Sequence, residues 1–98
     1  MYDGRGKALF PGLINCHAHM SAVIARGYNE DFGFPNSNIL EVQPNALLSA
    51  EESTLMIKIA ALECIRTGTT TVVEYSRGIA SRAAALADSG LRLSLIHI

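Results

Sequence analysis

A capped helix that passes through one glycine into a β-branched strand fixes much of what this chain can become. Ser49-Ala50-Glu51-Glu52 has the form of a capping box, in which the Ser49 hydroxyl and the Glu52 carboxylate satisfy the first free amides of a helix. Leu55, Ile59, Leu62 and Ile65 then recur at helical spacing and predict one apolar face, widened by Met56 and Ala60. Gly68 suits the left-handed residue that ends a helix. Residues 69–75 follow as a β-branched run, so a strand is expected there. A second helix is expected over residues 79–89, with Ala83, Leu86 and Ala87 inward and Gly90 as its stop. A further strand begins at Leu91. Upstream, residues 13–19 read as a strand entered through Pro11-Gly12, and residues 20–25 as a short helical turn. Strands alternating with helices imply an α/β fold with parallel strands.

The first strand ends in Asn15-Cys16-His17-Ala18-His19. Alternate side chains of a strand face the same way, so His17 and His19 project together, as a strand presents two imidazoles to one metal ion. Cys16 and Ala18 fall on the opposite face, which sets the thiol apart from the pair. Without context, a His-x-His is as readily two strand-end histidines with ordinary partners. Residues 27–45 are rich in Gly, Pro, Asn and acidic side chains and have no clear period. A stretch of that length is either a loop that covers a site or a surface connection.

The residues around the pair are more specific than the pair. Led by Pro11-Gly12-Leu13-Ile14-Asn15, it resembles the signature of the amidohydrolase superfamily of metal-dependent hydrolases. A second stretch agrees: Ala61-Leu62-Glu63-Cys64-Ile65-Arg66-Thr67-Gly68-Thr69-Thr70-Thr71-Val72-Val73-Glu74 is similar to the first helix and second strand of the deaminase and chlorohydrolase-like branch, and Arg26-Gly27 suits that branch. The resemblance covers the chain from about Asp3 to about Arg92. It implies the opening β-α-β-α-β portion of a (β/α)8 barrel, with residues 11–98 as an incomplete barrel. Residues 1–10 would be the remnant of an N-terminal β-sandwich, with residues 2–7 as a tight turn leading into the barrel.

The resemblance also implies chemistry. His17 and His19 match the family's first two ligands to a divalent metal, zinc or alternatively iron, which activates water for attack on an electrophilic carbon. Ammonia, an amine or chloride then leaves. The expected reaction is hydrolysis of non-peptide carbon–nitrogen bonds, as in deamination or dechlorination of cyclic amidine or other heterocyclic small molecules. Cyclic amide or imidazolone hydrolysis is the runner-up within the enzyme class. The family's other ligands, histidines after the middle strands and an aspartate after the last, have no counterpart in these 98 residues, nor do its downstream proton-transfer residues. A barrel of this type takes about 250 residues. The chain taken by itself is therefore expected to be inactive, and a non-catalytic α/β fragment that binds metal or a partner is the competing reading. A remnant with no activity is the third.

Three further side chains are site candidates. Asn15 shares the histidines' face and either orients a ligand or caps a local turn. Glu74, at the C-terminal end of the second strand, contacts substrate, holds a ligand histidine or forms a structural salt bridge. Arg26 binds an anionic substrate group or pairs with a carboxylate such as Glu30 or Asp31. Cys16 is expected to be buried against a helix and Cys64 to lie in the first helix; neither has a basic partner that would make it a nucleophile.

At the C-terminus, Leu93-Ser94-Leu95-Ile96-His97-Ile98 matches the translation of a common sequencing-adaptor end, so residues 93–98 are expected to be adaptor-derived and His97 is not counted as a ligand. Native DNA encoding the same six residues would refute this.

Composition closes off other classes. With 49% hydrophobic and 17% charged residues the chain is built for a core and not for disorder. A net charge of −1 and scattered basic residues give nucleic acid and anionic membrane nothing to bind. No apolar run approaches the roughly 20 residues of a membrane span. Two distant cysteines suit free thiols in a reducing compartment. With the resemblance, this points to a cytoplasmic protein, a homo-oligomer when intact. Phosphate-binding glycine loops and a Gly-x-Ser-x-Gly elbow are absent.

Overall fold

A computed structural model describes residues 1–27, 47–75 and 83–95. In chain order the elements are strand β1 (Leu13–Ala18), a 3₁₀ helix (Met20–Ala25), helix α1 (Ala50–Arg66), strand β2 (Thr69–Glu74), helix α2 (Ala83–Ala87) and strand β3 (Arg92–Leu95). The strands form a three-stranded parallel sheet in the order β1-β2-β3. The expected alternation of strand and helix is therefore present.

Local signals set the element ends. The Ser49 hydroxyl accepts the Glu52 amide at 3.2 Å and the Glu52 carboxylate accepts the Ser49 amide at 2.8 Å, completing the capping box. Gly68 follows the α1 C-cap at φ 86°, and its amide bonds the Ile65 carbonyl. Gly90 stops α2 at φ 85°. Both are left-handed positions that a side chain would strain. Residues 2–7 do turn, with the Lys7 amide on the Gly4 carbonyl and an exposed Asp3–Arg5 ion pair. The first four residues of the helix expected over 79–89 lie outside the described set, which leaves out residues 76–82, as do most of the 27–45 stretch and His97.

The core lies between the sheet and its helices. Ala18, Met20, Ile57, Ala60, Ala61, Val72, Ala85, Leu86 and Leu91 are buried, with Val23, Cys64, Leu93 and Leu95 packed against them. This corrects the face of α1. The inward residues are Ser53, Ile57, Ala60 and Ala61, while Leu55, Ile59, Leu62 and Ile65 are exposed. The helix is apolar on two sides, and small residues at positions 53, 60 and 61 let that side approach the strands and the 3₁₀ helix more closely. On α2, Ala85 and not Ala87 accompanies Leu86 inward. Leu13 and Ile14 of β1 are exposed, so part of the sheet carries apolar side chains with no cover among the described residues.

The β1–β2 register slips twice. Leu13 pairs with Thr69 but Ile14 with Thr71, and Asn15 pairs with Val72 but Ala18 with Glu74. The second slip inserts one extra residue into β1 beside the histidines and bends the strand there. No helix among the described residues is long and apolar enough to cross a membrane.

Candidate metal centre

The functional candidates collect at the C-terminal ends of β1 and β2. The Nε2 atoms of His17 and His19 face each other at 2.9 Å, with ring planes at 72°. Both side chains are exposed. At that distance one ring donates and the other accepts, or both present lone pairs to a shared cation. An ion with nitrogen ligands at about 2.0–2.1 Å holds two donors roughly 2.9 Å apart at a right angle and roughly 3.3 Å apart at the tetrahedral angle. The pair therefore fits one divalent ion with little or no opening. Among the described residues no group of three or more His, Cys, Asp and Glu side chains could hold a metal, so His17 and His19 are the two donors that those residues offer there.

The remaining candidates hold the frame around this pair. Asn15 Oδ1 accepts the His17 backbone amide at 3.0 Å. Its side chain bends back onto the bulged segment instead of reaching an imidazole, a local turn contact of a kind short amide side chains favour. Glu74 is fully buried, and its Oε2 accepts the Met20 amide at 2.8 Å. A side chain from the end of β2 thus holds the first residue after His19, where the chain leaves the strand for the 3₁₀ helix. Arg26 is engaged by Glu63 of α1 through two hydrogen bonds, of 2.6 and 3.2 Å. Glu30 and Asp31, the partners expected for Arg26, lie outside the described residues. The Arg26 guanidinium, chiefly through its hydrogen bonds, holds the Glu63 carboxyl below the usual glutamate range, and Glu63 in turn raises Arg26. The ion pair ties the 3₁₀ helix to α1.

An open cleft of about 320 Å³ runs beside these groups, lined by Asn15, His17, His19, Met20, Arg26, Glu63 and Cys64 among others. Cys64 is half-buried in α1, and burial, with the neighbouring Glu63 charge, pushes its thiol up. That makes it a poorer nucleophile. Cys16 is exposed, against the expectation that a helix covers it. The bulge between Asn15 and Ala18 breaks the alternation that would have carried it inward, and only Ala18 on that stretch is buried.

Sequence reasoning missed Tyr75. Its ring lies 5.7 Å from His19 and 6.2 Å from His17, centroid to centroid, and its amide donates to the Ala18 carbonyl at 2.9 Å. The available signal was topological: parallel pairing of β1 and β2 brings the residue after Glu74 alongside His19.

The chain can be set against known proteins on this geometry. Residues 8–96 match the model of the amidohydrolase family. The chain is 35% identical over 96 residues to the 5'-deoxyadenosine deaminase of Methanosarcina mazei, covering 97% of this chain and 22% of that protein. It is 33% identical over 98 residues to the 5'-deoxyadenosine deaminase of Methanobrevibacter smithii, with 97% and 22% covered. It is 32% identical over 94 residues to the 5-methylthioadenosine/S-adenosylhomocysteine deaminase of Desulforudis audaxviator, with 95% and 22% covered. The chain thus spans about a fifth of the length of the curated relatives it matches. No solved structure matches it significantly. With the strand-end histidines, the parallel β-α-β order and a family match across nearly its whole length, this chain belongs to the amidohydrolase family.

Proposed function

We propose that this chain supplies the opening of a (β/α)8 barrel in a metal-dependent deaminase acting on adenosine derivatives altered at the 5' position. The observation that carries the reading is the convergence of the His17 and His19 Nε2 atoms at the C-terminal end of a parallel strand. Catalytic groups of such barrels sit at that end. The names of the relatives narrow the substrate class: those deaminases act on 5'-deoxyadenosine, or on 5-methylthioadenosine and S-adenosylhomocysteine.

In this reading His17 and His19 are ligands of a divalent ion, zinc or alternatively iron. When bound, the ion supplies a Lewis acid that lowers the pKa of water toward 7. Asn15 and Glu74 act on the backbone, at His17 and Met20, and keep the two imidazoles at the mouth of the sheet. Arg26 is held by Glu63, so its role is to anchor the 3₁₀ helix and not to receive an anionic substrate group. Residues 11–98 form the opened barrel segment and residues 1–10 the lead-in, and the intact protein works in the cytoplasm on a small molecule. Two donors leave most of a coordination shell to water, so the 98-residue chain binds metal weakly and is inactive alone.

The test is ammonia release from 5'-deoxyadenosine and 5-methylthioadenosine by a protein that carries this segment within a complete barrel. Activity that disappears with a chelator, returns with zinc, and is lost in His17→Ala and His19→Ala supports the proposal. Chelator-insensitive activity, or full activity in either alanine variant, overturns it.

A further inference from the structure

The histidine pair is exposed, and among the described residues each imidazole has its hydrogen bond only to the other. Among the described residues, hydrogen bonds from outside the pair therefore do not hold the rings in the orientation that brings their Nε2 atoms together. The neighbouring group that can do so is Tyr75. Its ring meets His19 at 73°, nearly edge to face, and His17 at 45°. The two imidazoles are themselves 4.8 Å apart between centroids. All three separations fall in the range where aromatic pairs attract, about 4.5–7 Å. The three rings therefore form a closed triangle, each touching the other two.

Tyr75 is itself anchored. Its amide donates to the carbonyl of Ala18, the residue between the two histidines, so a backbone bond just past the end of β2 fixes the tyrosine against the segment that carries the pair. Glu74, its chain neighbour, holds the Met20 amide on the other side of His19. Glu74 and Tyr75, at the end of β2 and just past it, thus hold the backbone on both sides of His19, at Ala18 through the Tyr75 amide and at Met20 through a buried carboxylate.

We propose that Tyr75 is a positioning residue for the histidine pair: its ring, packed against both imidazoles, keeps their Nε2 atoms turned toward one point. The inference rests on the metal-ligand reading above. What the contact requires is the ring, not the hydroxyl.

The test compares Tyr75→Phe, Tyr75→Leu and His19→Ala in the full chain. Two readouts are taken: zinc affinity, by competition with a chromophoric chelator, and the cross-ring nuclear Overhauser effect between His17 and His19 in metal-free protein. Tyr75→Phe is expected to bind zinc within about twofold of the parent and Tyr75→Leu about tenfold more weakly, the size of two aromatic contacts of this class. The cross-ring effect is expected in the parent and in Tyr75→Phe and lost in Tyr75→Leu. Parent-like affinity in Tyr75→Leu, a Phe variant as weak as the Leu variant, or no cross-ring effect in the parent overturns the proposal. The two readings fail separately. Unchanged zinc binding in His19→Ala refutes the ligand assignment, while the cross-ring effect still decides what Tyr75 does.

Discussion

Replacing Glu74 asks whether β2 holds the turn that follows His19. The side chain is fully buried, and its Oε2 meets the amide of Met20, itself buried, at 2.8 Å. Glu74→Gln keeps an acceptor at the same reach. A hydrogen bond to a charged group is worth about 1.5–3 kcal/mol and a neutral one about 1 kcal/mol, so this variant loses roughly 1–2 kcal/mol. Glu74→Ala removes the acceptor and empties space in a packed region. The stranded amide costs about 1–3 kcal/mol, and the missing side-chain volume brings the total to roughly 3–4 kcal/mol. For a domain of this size each kcal/mol lowers the melting midpoint by about 4–8 °C. Thermal melts followed by circular dichroism read the total, and amide exchange at Met20 reads the local bond. Alanine should melt well below glutamine, with Met20 exchange fastest in the alanine variant. An alanine variant that melts like the parent, with Met20 exchange unchanged, would refute the reasoning.

Gly12 is a position where a side chain has no room: an added Cβ would overlap Cγ2 and Oγ1 of Thr70 and lie 2.7 Å from its Cβ. Gly12→Ala should therefore cost about 1–3 kcal/mol, and Thr70→Ala should recover part of it; equal stability of Gly12→Ala and parent in urea melts would contradict this. The two thiols should separate by rate, with exposed Cys16 reacting with a disulfide reagent at least several-fold faster than half-buried Cys64, whose thiol burial pushes up; peptide mapping of singly labelled protein distinguishes them, and equal labelling would count against the described burial. The Arg26–Glu63 pair sets a pH dependence whose sign follows from a lowered Glu63: its contribution is complete above the usual glutamate range and is lost as pH falls through the depressed folded value. Amides of the 3₁₀ helix should lose protection in that acid range in the parent, and Glu63→Gln should abolish the step; because both partners are exposed, 1 M salt should weaken it too. An acid step that survives in Glu63→Gln belongs to another group.

How far the sequence carries can be judged residue by residue. The limits of α1 were legible because capping is local chemistry: Ser49, Glu52 and Gly68 act within one turn of themselves. The parallel sheet was legible from element order. The buried face of α1 was not, because Leu55, Ile59 and Leu62 are the larger apolar residues and periodicity favours size. The packing instead chose Ile57 with Ala60 and Ala61, where small side chains permit close approach. At the site, the joint projection of His17 and His19 follows from strand alternation. Its companions depend on long-range placement. Arg26 finds Glu63 across 37 positions and Glu74 finds Met20 across 54, and no local pattern encodes either pairing. The bulge beside Cys16 is a register property of two strands, invisible in one.

The most direct test of the central claim is to add zinc to ¹⁵N-labelled chain and follow the imidazole nitrogens of His17 and His19. If the two converge on one ion, their Nε2 signals shift together and saturate at the same zinc concentration, while the Nδ1 signals respond less. If only one imidazole responds, or neither does while Cys16 or Cys64 takes the metal, the histidine pair is not a metal centre.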